Sequence, residues 1–174
     1  MEPKTITLPQ TTSRVIEYSL IAASFFIPFF ISGPQLLTGT IVNALLFLFV
    51  SQLSSKKLLP MVMLPSIGAV LNGVLFSKFT VFLLYFLPFI WIGNYILILS
   101  FKSILLKTQS FFISLVGSSL IKCSVLFIIA LVFTQYKIVP TIFLQLMGVF
   151  QLVTALMGGM IAWAIYHFST KKND

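Results

Sequence analysis

Six apolar runs, at residues 15–32, 36–53, 58–76, 79–101, 110–133 and 139–168, take up most of this chain, and only short polar breaks separate them. They are apolar all round, where the buried face of a soluble helix needs only a stripe. At about 1.5 Å per residue the fifth run reaches roughly 35 Å, enough to cross a hydrocarbon core of about 30 Å. Lipid offers backbone groups no partner, so a spanning chain must form helices or a closed barrel. Barrel strands alternate apolar and polar residues, and these runs do not. The sequence therefore predicts an all-α integral membrane protein, a bundle of six transmembrane helices. Composition agrees: 59% of residues are hydrophobic and 8% charged, whereas a soluble domain would carry about a quarter charged residues. Six spans use up the 174 residues, which leaves no room for a soluble catalytic domain.

The breaks set the organisation. Ser32-Gly33-Pro34-Gln35 reads as a turn, Ser54 to Lys57 and Ser77-Lys78 as the next two links, and Lys102 to Gln109 and Gln135 to Lys137 as the last two. Residues 1–14 form a polar N-terminal tail, 15–168 a single transmembrane domain and 169–174 a C-terminal tail. The first run ends without a small-x-small cleavage pattern and is expected to be retained. The last run is long enough to require tilt.

Orientation follows from counting basic residues. With the N-terminus cytoplasmic, Lys4, Arg14, Lys56, Lys57, Lys102, Lys107, Lys171 and Lys172 lie inside, and Lys78 and Lys137 outside. The positive-inside bias then predicts both termini in the cytoplasm of a multi-pass cell-membrane protein. The same bias accounts for the net charge of +8, so no nucleic-acid partner is inferred. His167, the single histidine, falls at the inner interface, where an ordinary interfacial residue is expected and not a metal ligand.

Lys122 is the outlier. It sits mid-span in the fifth run, where a charge costs a few kcal/mol. Ser114, Ser118 and Lys122 are four apart and share a helix face, which should point into the bundle. The only acids are Glu2, Glu17 and Asp174, none at that depth. The missing counter-charge is either an anionic ligand, or absent because the lysine is carried neutral or reaches backbone carbonyls and asparagines. The amides Gln35, Asn43, Asn72, Asn94, Gln145 and Gln151 each need a partner when buried. With the predicted topology Gln35, Thr38, Asn43, Asn72 and Gln145 fall in the outer half, Gln151 near mid-depth and Asn94 slightly inside. They suit either one cavity open to the outside or interhelical hydrogen bonds. Trp91 and Tyr85, deeper than the interfacial aromatics, suit stacking on a ring-shaped ligand or packing.

Gly148, Gln151, Ala155, Gly158 and Ala162 repeat at three and four and form a close-packing seam. Ser19 and Ala23 make a small-xxx-small pair on the first span, facing a neighbouring helix or another protein. Catalytic patterns are absent: there is no His/Glu metal pair, no intramembrane acid, no phosphate loop, and Cys123 has no nearby histidine. An enzyme is not expected, nor a resident metal or cofactor. An independent secondary transporter is disfavoured by the lack of repeats and acids.

Residues 33–43 (GPQLLTGTIVN), residues 88–94 (PFIWIGN), the lysine of the fifth span and residues 154–159 (TALMGG) give the chain a pattern that resembles the substrate-binding (S) components of energy-coupling factor transporters. The resemblance implies a six-helix subunit that captures a vitamin or similar micronutrient from outside. It also implies association with a membrane coupling protein and two cytoplasmic ATPases, with Ser19 and Ala23 as docking residues. Serine stands at position 19 where that family usually has alanine. The start Met1-Glu2-Pro3 lacks the early histidine of the cobalt and nickel members. The resulting expectation is a binding subunit for a small polar solute held near Gln35, Asn43, Asn72, Trp91, Asn94, Lys122, Gln145 and Gln151. The competing expectation is a structural or assembly subunit with no ligand, using the same residues as interhelical glue.

Overall fold

The computed structural model describes residues 10–31, 33–50, 57–73 and 79–171. Their order is α1 (Gln10–Phe30), α2 (Gln35–Val50), α3 (Leu58–Asn72), α4 (Thr80–Thr108), α5 (Phe111–Gln135), α6 (Ile142–Met147) and α7 (Val149–Lys171), with no strand among the described residues. Three stretches, Val81–Thr108, Phe111–Gln135 and Ile142–Phe168, are long and apolar enough to cross a membrane. The 16 residues of α2 and 15 of α3 give lengths of about 24 and 22 Å, short of a hydrocarbon core of about 30 Å.

Helix α5 carries the membrane signature in its faces. Ser114, Ser118 and Lys122 are buried while Ile113, Val116, Leu120 and Ile128 are exposed. Polar residues inward and large apolar residues outward is the reverse of a soluble helix, and so wide an apolar surface is stable only against lipid or a partner. This is a membrane protein.

Contacts along the helices fix their directions. Gly68 meets the backbone of Phe25 and Asn72 binds Phe29 O, so α1 and α3 run parallel. Asn43 meets Thr154 and Tyr166 meets Leu48 O, so α2 and α7 run parallel as well. Helix α4 is antiparallel to α3 through Trp91 with Ser66 and Asn94 with Val62, and antiparallel to α5 through the Phe86–Phe133 and Phe101–Phe111 ring pairs. Helices α1, α3 and α5 therefore run one way, and α2, α4 and α7 the other. The start of α1 and the end of α7 share one end of the bundle, together with Arg14, Lys57, Lys102, Lys107 and Lys171, while Lys137 lies at the opposite end. Lys4, Lys56, Lys78 and Lys172 lie outside the described residues.

Two apolar clusters fill the interior. One, around Phe47, Phe49, Met61, Leu97, Phe101 and Leu115, occupies the basic end. The other, around Phe86, Leu126, Phe143 and Met147, joins α4, α5 and α6 at the opposite end. At the basic end Lys57 also pairs with Glu17 and lies 3.8 Å over the Tyr18 ring. The Glu17 carboxylate beside it holds the Lys57 pKa above its ordinary 10.5.

Three boundaries differ from the sequence reading. Helix α1 begins at Gln10, inside the expected tail, and α7 continues to Lys171. Helix α4 runs through Lys102 to Thr108, where a connection was expected, because Ile104 keeps packing against α5 at Gly117 and Lys107 suits the negative end of a helix. The turn shrinks to Gln109, in the left-handed conformation (φ 53°), and Ser110, whose Oγ caps α5. The last run is broken at Gly148 (φ −98°, ψ −102°). Cys123 Sγ donates to the Gly148 carbonyl at 3.2 Å, and the Phe127 ring approaches where a Cβ would stand.

Candidate functional site

Between the two apolar clusters lies a polar layer built by five helices. Lys122 of α5 is buried, and its Nζ donates to Asn43 Oδ1 of α2 at 2.7 Å and to Asn94 Oδ1 of α4 at 2.9 Å. Each asparagine is oriented through its other end. Asn43 Nδ2 donates to Gly39 O at 2.9 Å and to Thr154 Oγ1 of α7 at 3.2 Å. Asn94 Nδ2 donates to Val62 O of α3 at 3.1 Å. Thr154 Oγ1 in turn donates to Gln151 O at 3.2 Å. Both amide oxygens are thus presented to the ammonium and both amide nitrogens point away from it, the orientation a buried cation requires.

The layer closes because glycine lets the helices touch. A Cβ at Gly158 would lie 2.6 Å from both Ala44 N and Thr40 O, so α7 rests directly on the α2 backbone where Asn43 projects. At Gly39 the Thr154 side chain fills the equivalent space. The small-residue seam of the last span therefore works within the chain, with Ala155 and Ala162 fully buried.

Above the layer, toward the end away from the basic residues, a cavity of about 70 Å3 opens between α2, α3, α4 and α7. Lys122, Asn43, Asn94 and Thr154 form its floor; Gln151, Ser66, Pro65 and Val42 stand higher; Gln35, Thr38, Leu83 and Met147 line the upper part. Of the residues expected from sequence, Gln35, Asn43, Asn94, Lys122 and Gln151 come together here. Asn72, Trp91 and Gln145 do not line the cavity. Asn72 Nδ2 is bonded to Phe29 O at 2.6 Å and ties α3 to α1. Trp91 Nε1 donates to Ser66 Oγ at 2.7 Å, which places the indole behind the wall. Gln145 is exposed on α6, and Tyr85 is exposed on α4. Helix periodicity alone cannot separate these cases, since each depends on which neighbour covers the face.

Ser66 and Thr154 were missed as site residues. Thr154 follows Gln151 by three residues and so shares its face, a usable signal; Ser66 offers only its place beside Pro65. Ser19 is exposed, whereas Ala23 is half-buried and packs on the larger apolar cluster. Among the described residues no three His, Cys, Asp or Glu side chains gather as a metal site would require. His167 stacks on Trp163 at the basic end. No protein-family model, curated protein or solved structure matches this chain.

Proposed function

We propose that this chain is the substrate-capture subunit of an energy-coupling-factor-type uptake system, a six-span bundle with both termini in the cytoplasm that binds a small polar solute from outside. The observation that carries the reading is Lys122, a buried lysine with no acid beside it among the described residues, set on the floor of a cavity where Asn43 and Asn94 turn their amide oxygens toward it. Lys122 is only 2% exposed, yet its side chain lines the cavity. The alternating helix directions support six crossings. The clustering of basic residues at the end opposite the cavity supports an outward-facing mouth. The GPQ segment, IGN segment and TALMGG segment that carry the family resemblance contribute Gln35, Asn94 and Thr154 to one cavity. Coupling protein and ATPases enter this proposal through the resemblance, with exposed Ser19 on the docking face.

Native mass spectrometry of the gently purified protein tests the reading. A stoichiometric small molecule, released on denaturation and missing from an inserted Lys122→Met variant, is the expected result. An apo mass with co-purifying membrane proteins would refute capture and support a structural subunit. One observation favours that second reading: Asn43 and Asn94 already give Lys122 two acceptors and reach on to Thr154 and Val62 O, so the layer can hold five helices together without a ligand.

A further inference from the structure

The residues around this cavity leave three hydrogen-bonding functions unused, and they differ in sign from floor to rim. An ammonium has three N–H donors, and Lys122 Nζ places two of them on Asn43 and Asn94. The side-chain amide of Gln151 makes no hydrogen bond among the described residues. Gln35 Oε1 is buried without a donor, while its Nε2 is held by Leu146 O at 3.2 Å, which fixes the amide in place. Lys122 and Asn43 share one level. Gln35 precedes Asn43 by eight residues on the same helix, about 12 Å toward the mouth. Between them the wall carries Val42, Pro65 and Ile90, together with Ser66 and Thr38, whose hydroxyls donate to Met63 O and Ile31 O.

An unused buried donor and an unpaired buried acceptor each carry a penalty. One solute removes both if it brings an anion to the floor and a donor to the rim. We infer that the cavity takes a short-chain carboxylate bearing an N–H group at its far end, held carboxylate-inward: one oxygen on Lys122, the other on the Gln151 amide, the chain against Val42 and Ile90, and the N–H on Gln35 Oε1. One lysine and one amide match the two oxygens and single charge of a carboxylate. A phosphate would bring a third oxygen and a second charge to a floor with no further cation. This inference rests on the capture reading and assigns its substrate class.

The test uses the full chain in nanodiscs and titrates 4-aminobutyrate, butyrate and butylamine, with glycine and 6-aminohexanoate as length controls. Binding is read by intrinsic fluorescence and ligand-dependent thermal shift. In the wild type the expected order is 4-aminobutyrate or one of its length homologues first, butyrate weaker, and butylamine without effect. Loss of a hydrogen bond to the charged group predicts binding about ten- to a hundredfold weaker in Lys122→Gln. Gln35→Leu should erase the preference for the amino acid over butyrate. The wild-type series alone decides the matter if the variants fail to fold. Butylamine binding as well as butyrate, or a co-purified solute without a carboxylate, overturns the substrate class and leaves capture standing. No response to any probe, together with an apo mass in native spectrometry, overturns both.

Discussion

Substituting Gly158 by alanine tests the link between helix packing and the polar layer. The added methyl would lie 2.6 Å from Ala44 N and Thr40 O and 2.8 Å from Asn43 Cβ, while ordinary contact begins at 3.4 Å. Backbone atoms cannot rotate aside, so α2 must retreat by about 0.8 Å, which stretches the 3.2 Å bond between Asn43 and Thr154 to about 4.0 Å, beyond hydrogen-bonding range. Overpacking costs about 1–3 kcal/mol and the lost bond about 1 kcal/mol, giving a total of about 2–4 kcal/mol. The adjacent Gly159 supplies the control. Its Cβ would lie only 2.1 Å from Leu115 Cδ1, a shorter contact but with a methyl at the end of a rotatable side chain. A changed Leu115 rotamer costs about 1 kcal/mol. Unfolding in detergent micelles titrated with dodecyl sulfate, followed by the fluorescence of Trp91 and Trp163, should rank Gly158→Ala as the more damaging change. Equal losses, or a milder effect at Gly158, would refute the claim that backbone contact sets this interface.

Further outcomes follow from the same contacts. Lys122→Met leaves Asn43 Oδ1 and Asn94 Oδ1 without their donor and should cost about 2–5 kcal/mol, whereas adding Asn43→Leu and Asn94→Leu should recover part of the loss in the same unfolding assay. Gly68→Ala puts a methyl 2.4 Å from Phe25 O; it should separate α1 from α3 and cost about 1–3 kcal/mol, visible as faster cysteine labelling at a probe placed on that seam. The raised Lys57 pKa means that its pairing with Glu17 stabilises fully below the unfolded value of 10.5 and is lost as pH rises through the higher folded value. The difference in melting temperature between wild type and Lys57→Met should therefore hold constant from neutral pH to about 10 and shrink above it.

The apolar runs and sparse charges settle membrane helices from the sequence, because backbone satisfaction in lipid leaves so few alternatives. Lys122 is conspicuous for the same reason, and its spacing from Ser114 and Ser118 assigns it an inward face, as the buried positions of all three bear out. Periodicity also anticipates the close approach of Gly158 to α2, but Gly148, expected on the same seam, stands at the break before α7 and meets Phe127 of α5. It gives no information on which helix meets which. Asn43, Asn94 and Thr154 are separated by up to 111 residues in sequence, and only the parallel packing of α2 on α7 and the antiparallel packing of α4 on α3 and α5 bring them to one level. Asn72 and Trp91 look equivalent to these residues in the sequence, yet α1 and Ser66 take up their hydrogen bonds. A polar side chain becomes part of a cavity or part of a helix contact according to the neighbour that covers it, and that neighbour is chosen by tertiary packing.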